Sequence, residues 1–143
     1  FQFVYAMYQD FDLINQFDIP QDKLENFVRD VKEHYEIYTN PFHNFYHGLN
    51  VMHSIYFLLS STSGASFFGP LEIFSFFAAS LCHDIEHPGR TNAFEINRES
   101  HLSIVYNDKS VLENHHAATA FRLLQIEKNN IIQSLAPDFR KRF

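Results

Sequence analysis

Two imidazoles and two carboxylates fall within five consecutive positions in His83-Asp84-Ile85-Glu86-His87, and Pro88-Gly89 stops the segment directly afterwards. Imidazole nitrogen and carboxylate oxygen together suit zinc and similar divalent ions. The cluster follows a largely apolar run from Leu71 to Cys82, so it stands at the end of something buried. Groups of this kind are costly away from water unless a metal or close partners satisfy them. The plainer reading is a helix end with a capping histidine and a solvated Glu86.

Two further groups have spacings that matter. His43 and His47 are four apart, about one helical turn, which puts both on one face. That pair can offer two ligands to one ion, or one ligand with a catalytic group beside it. Glu113 and His116 are three apart in Glu113-Asn114-His115-His116 and share a face, although this stretch also reads as polar surface at a helix start. Asp84 has two oxygens and can bridge two ions, and ions about 3.5–4 Å apart are a standard device for attack on a phosphate ester. His87 returns to the side of His83 if the helix continues. His53 is expected to pack in the ordinary way, and His34 to be solvated near a helix end.

The elements that must position these groups are helical throughout. Apolar residues at helical spacing predict a helix over residues 1–17. The stripe Leu24, Phe27, Val28, Val31 and Tyr35 predicts an amphipathic surface helix over 21–38, with Asp30 on its polar side. A helix over 43–60 is apolar around most of its circumference and is expected to be central and buried. Residues 61–69 read as a loop anchored by Phe67 and Phe68. Pro70 opens a helix to about His83, the most buried of all. Thr91 can cap a short helix over 92–98, and another covers 101–106. Ser110 and Glu113 have the spacing of a capping box for a helix over 111–127. The fold class is all-α, a compact bundle with short connections.

Composition narrows the function. Hydrophobic residues make up 45% of the 143, with 17 Phe, enough apolar material for a core. A net charge of -6 argues against a nucleic-acid-binding surface. An anionic substrate would then need metal ions as the local positive charge. The single Cys82 allows no internal disulfide and fits a reducing compartment. The apolar stretches fall short of the roughly 20 residues of a bilayer span.

The three histidine blocks, taken in order, are similar to a known family. Phe42-His43-Asn44-Phe45-Tyr46-His47-Gly48, His83-Asp84-Ile85-Glu86-His87-Pro88-Gly89-Arg90-Thr91-Asn92-Ala93-Phe94 and Tyr106-Asn107-Asp108-Lys109-Ser110-Val111-Leu112-Glu113-Asn114-His115-His116 resemble the catalytic domain of class I 3′,5′-cyclic nucleotide phosphodiesterases. The resemblance implies a helical bundle of the HD-domain type, with residues 1–143 as the N-terminal part of the catalytic domain. It implies hydrolysis of cAMP, cGMP or both to 5′-monophosphates by a water activated between two divalent ions, Zn and Mg (or Mn). His47, His83 and Asp84 would be metal ligands, with Asp84 shared. His43 would be the general acid, and an imidazole, with a reference pKa of about 6.5, can carry that proton. His87, Asn92, Glu113, Asp108 and His116 would hold metal-associated water or support the ligands.

Phe42 stands where the family usually has Tyr, and Gly48 where it usually has Ala, a change expected to be tolerable. The implied partners are a cyclic nucleotide and the remaining C-terminal part of the domain, which would supply a further Asp ligand and the purine pocket. No nucleic acid partner is expected, and a homodimer is left open. The expected location is the cytoplasmic side, with membrane attachment through segments outside these residues also open. The alternatives are another HD-type nucleotide phosphohydrolase and a non-catalytic helical module of the same fold.

Overall fold

The computed structural model describes residues 1–143, and every regular element in it is a helix. They are α1 (Gln2–Asp10), α2 (Leu13–Gln16), α3 (Gln21–Tyr35), α4 (Phe45–Ser61), α5 (Pro70–Cys82), α6 (Asn92–Asn97), α7 (His101–Val105), α8 (Val111–Gln125) and α9 (Pro137–Arg142). Single 3-10 turns follow α4 (Ser63–Phe67) and α8 (Glu127–Asn129). No helix is long and apolar enough to cross a membrane.

The core gathers on α5. Phe74 and Phe77 are fully buried beside Tyr8, Phe27, Leu24 and Met52, and burial of such a ring stabilises by roughly 1.5–3 kcal/mol over leaving it exposed. Pro70 opens α5 at its first turn, where the missing N–H costs nothing. The Tyr8 ring meets Phe74 edge-on at 5.8 Å, and Phe11 meets Phe77 at 5.7 Å. These contacts fix α5, and so fix where its C-terminal end delivers His83.

Several expected elements came out differently. The helix expected over 1–17 breaks at Asp12, whose φ of 56° is left-handed. The helix expected from His43 starts at Phe45, because the Asn44 carboxamide oxygen accepts from the N–H groups of Tyr46 and His47 and so caps it. α4 is not buried all round: Met52 and Leu59 face the core while Phe57 and Leu58 are more than half exposed. Phe67 is no anchor, being 80% exposed, whereas Phe68 packs edge-on against Phe76 at 4.9 Å. Asp30 is buried, because Lys128 and Asn129 donate to its two oxygens at 2.9 and 2.7 Å. Lys128 and Asn129 lie 98 and 99 residues further along, beyond the reach of helical periodicity.

Candidate metal centre

α5 ends at Cys82, and the chain then makes two tight turns: the Ile85 N–H donates to the Cys82 carbonyl and the His87 N–H to that of Asp84. His83 closes the helix with φ -60° and ψ -24°, and Asp84 follows it in the turn. His83 Nε2 lies 3.1 Å from Asp84 Oδ2. α4 brings His47 against the same point, with Nε2 at 3.1 Å from His83 Nε2 and 3.2 Å from Asp84 Oδ2. Three donor atoms therefore form a nearly equilateral triangle. Three ligands of a tetrahedral ion at about 2.0–2.2 Å stand roughly 3.3–3.6 Å apart, so the triangle suits one ion.

Electron pairs decide what the triangle needs. His83 Nδ1 lies 2.8 Å from the Ser80 carbonyl oxygen, which can only accept, so Nδ1 carries a proton. In the neutral ring, Nε2 then presents its lone pair to the Asp84 carboxylate and to His47. Facing lone pairs repel unless a cation sits among them, and a backbone-anchored imidazole is the usual support of a metal ligand. A proton can also fill that role: the hydrogen bond to Asp84 raises the His83 pKa above its ordinary value. Burial lowers that of His47, and positive charge on His83 lowers it further. Burial pushes the Asp84 carboxyl up, but the His83 hydrogen bond and the His83, His87 and His116 charges outweigh it and hold it at about 2.

The other oxygen of Asp84 faces α8. His116 is buried and its Nδ1 donates to the Ile85 carbonyl at 2.6 Å, which leaves Nε2 directed at Asp84 Oδ1, 3.9 Å away. His87 is presented the opposite way round. The Gly89 N–H donates to its Nδ1 at 2.9 Å, so in the neutral ring Nε2 bears the proton and is a donor. Asp84, His87 and His116 bring potential ligand atoms within 4.8 Å of one another, but in this tautomer His87 offers an N–H and no free lone pair. Burial lowers the pKa values of both histidines.

His43 precedes α4, so the one-face argument from helical spacing does not describe it. The chain still brings it in: the Asn40 carboxamide oxygen accepts from the His43 N–H at 3.0 Å, and the ring stacks on His87 at 3.9 Å and 11°. Its centroid is 5.9 Å from that of His47. Asn92 and Glu113 are joined, but by no capping box. Ser110 has φ 42° and makes no side-chain cap. Instead the Asn92 Oδ1 accepts from the Leu112 N–H at 2.9 Å, and its Nδ2 donates to Glu113 Oε2 at 2.9 Å. That bond, foremost, lowers the Glu113 pKa. Asp108 is exposed, with φ 59° at the turn between α7 and α8, and stands outside the cluster.

Sequence reasoning missed three groups. Tyr35, read as part of an apolar stripe, donates its hydroxyl proton to the Leu81 carbonyl at 3.1 Å and accepts from the Asp84 N–H at 3.2 Å. Burial pushes its pKa up, keeping the phenol neutral. His34, read as solvated, and Glu86, solvated only in the plainer of its two readings, bond each other at 2.6 Å. Gly48 is more constrained than expected, since an added Cβ would lie 2.8 Å from the Leu81 carbonyl oxygen and 2.9 Å from the Tyr35 hydroxyl. Beside the cluster, a groove of about 340 Å³ runs between α5 and α8, with His83, Glu113 and His116 in its wall and Ala78, Ala117 and Phe121 making it apolar.

A sequence profile described as 3′5′-cyclic nucleotide phosphodiesterase matches residues 42–143. The chain is 39% identical over 132 residues to the 3′,5′-cyclic-nucleotide phosphodiesterase regA of Dictyostelium discoideum, covering 92% of this chain and 16% of the relative. It is 41% identical over 140 residues to the mouse (Mus musculus) dual specificity calcium/calmodulin-dependent 3′,5′-cyclic nucleotide phosphodiesterase 1C, covering 97% of this chain and 20% of that protein. Among solved structures, the phosphodiesterase domain of the RhoPDE fusion protein from the choanoflagellate Salpingoeca rosetta superposes with a TM-score of 0.92 at 40% identity. That match covers 97% of this chain and 43% of the other.

Proposed function

Because this chain belongs to the 3′,5′-cyclic nucleotide phosphodiesterase family, we propose that residues 1–143 are the N-terminal part of a catalytic domain that opens 3′,5′-cyclic nucleotides to 5′-monophosphates. The observation that carries the reading is the triangle of His47 Nε2, His83 Nε2 and Asp84 Oδ2, with sides of 3.1–3.2 Å.

In this reading His47, His83 and Asp84 hold one divalent ion, of which zinc suits the donor set best. Asp84 would also take part in holding a second ion, with Mg or Mn suited to a site of one carboxylate and several waters. Bound there, the ions supply positive charge to the phosphate and acidify the attacking water. The chain's own groups do the rest. His43 protonates the departing 3′ oxygen, and its stacking on His87 keeps it at the edge of the cluster. His87 directs its Nε2–H toward water or a phosphate oxygen. The Asn92–Glu113 pair fixes the start of α8 and with it His116. Asp108 has a structural part in the turn that precedes α8.

The test is metal content by mass spectrometry together with turnover of cAMP and cGMP by the full-length protein. Bound zinc with turnover of either supports the reading. Metal with turnover of other nucleotides alone would assign a broader HD-type hydrolase, and a folded, metal-free, inactive protein a non-catalytic module. Residues 1–143 alone are expected to be inactive, since they span 16–20% of the relatives above and contain no convincing further Asp ligand.

A further inference from the structure

Glu86 lies two residues beyond Asp84 and has no part in the site as described so far. Its φ is 58°, a left-handed conformation that is uncommon for a residue with a Cβ. The surroundings here are two imidazoles. His34 Nδ1, from the last turn of α3, lies 2.6 Å from Oε1, and His115 Nε2, from α8, lies 2.7 Å from Oε2. The Thr119 hydroxyl approaches Oε2 at 3.5 Å.

Each flanking helix sends two consecutive residues to this turn. From α3, Tyr35 bonds the Leu81 carbonyl and the Asp84 N–H while His34 bonds Glu86. From α8, His116 bonds the Ile85 carbonyl and faces Asp84 while His115 bonds Glu86. His34 is 52 residues before Glu86, so Glu86 is where two distant helices are tied together. The His34, Glu86 and His115 donors do not converge on one point, being strung along two separate oxygens, and they form no cage for an ion.

We propose that Glu86 is a positioning residue: its carboxylate ties α3 to α8 across the turn and so holds His83 and Asp84 in ligating geometry. The proposal rests on the metal reading above. Glu86 is held at both oxygens, by the two imidazoles at 2.6 and 2.7 Å. Its side chain is 18% exposed, which sets it apart from a solvated surface pair.

The test compares Glu86→Ala, Glu86→Asp and Glu86→Gln with wild type in the full-length protein. Zinc affinity is read by competition with a chromophoric chelator, ligand geometry from the visible bands after cobalt substitution, and folding by circular dichroism. Losing a group that supports metal ligands costs tenfold to about a hundredfold in affinity. Glu86→Ala should lose that much and shift the cobalt bands. Glu86→Asp, one methylene too short to reach both rings, should do the same. Glu86→Gln can accept from one imidazole and donate to the other, and should lose much less than the tenfold expected of Glu86→Ala.

Wild-type zinc affinity and cobalt bands in Glu86→Ala or Glu86→Asp would overturn the proposal. So would a Glu86→Gln loss as large as that of Glu86→Ala, which would make charge rather than bridging the cause. Should Glu86→Ala fail to fold, His34→Ala and Glu86→Asp decide by the same readouts. A wild-type protein that binds no divalent ion at all overturns the metal reading and this proposal with it. A wild type that binds zinc, beside variants that bind it equally well, overturns this proposal alone.

Discussion

The two oxygens of Asp84 face different company. Oδ2 meets His47 and His83 at 3.2 and 3.1 Å, whereas Oδ1 has His116 at 3.9 Å and a His87 that presents an N–H in place of a lone pair. The Oδ2 side is a set of side-chain donors already drawn to ligand spacing. The Oδ1 side is looser. The difference follows from what delivers each group. α4 crosses α5 at Gly48, where no Cβ keeps the helices apart, while the His116 ring is held back by its bond to the Ile85 carbonyl.

Replacing Asp84 by Ala removes the group common to both sides. It should cost the full-length enzyme about 10³-fold or more in turnover, because a catalytic metal is worth several kcal/mol. Metal analysis should then show both ions lost; retention of one would mean that the two sides do not share Asp84. His47→Ala strikes the Oδ2 side alone and should reduce bound zinc with the fold intact. His116→Ala should act mainly on folding, costing about 1–3 kcal/mol by leaving the Ile85 carbonyl unpaired, read as a lower urea midpoint. If His116→Ala stripped zinc more completely than His47→Ala, the tight and loose sides would be the reverse of those described. Gly48→Ala should destabilise by roughly 1–3 kcal/mol, the cost of overpacking, and spread the His47–His83 pair. A thermal melt together with zinc titration would show both effects or neither.

Protonation separates the sides more gently. Burial lowers the pKa values of His87 and His116 below the ordinary 6.5, whereas the Asp84 bond raises that of His83 above it. The neutral rings of His87 and His116 thus contribute stability fully above about 6.5, and it is lost as pH falls through their lower folded values. The His83 contribution has the opposite sign: it is present below about 6.5 and is lost as pH rises through the higher folded value. In the metal-free protein, NMR titration of the imidazole protons should find His83 protonated to higher pH than either His87 or His116. The reverse order would mean that Asp84 bonds the wrong neighbour.

Much of this was legible in the residues. The stripe from Leu24 to Tyr35, Pro70 at the head of an apolar run, and Thr91 before Asn92 each marked a helix that is present. His47, His83 and Asp84, read as ligands, do converge. Some errors were local, such as the Asn44 cap that starts α4 at Phe45; others fell where a side chain's partner is distant in sequence. Asp30 looked solvated because Lys128 cannot be paired with it by periodicity. The Ser110–Glu113 spacing suggested a cap that Asn92 supplies from another helix.

What the amino-acid order determined alone is local: helical period, caps within three or four residues, and a chemistry confined to imidazole and carboxylate. Those follow from backbone geometry and side-chain type, which act over about one turn. The tertiary structure alone decided that His47 Nε2 meets His83 Nε2 at 3.1 Å, that Glu86 lies between His34 and His115, and that Tyr35 carries the Asp84 N–H. Such distances depend on how closely two helices cross and how a turn between them is held. Both are set by packing among residues 29 to 52 positions apart, over which no local period carries information.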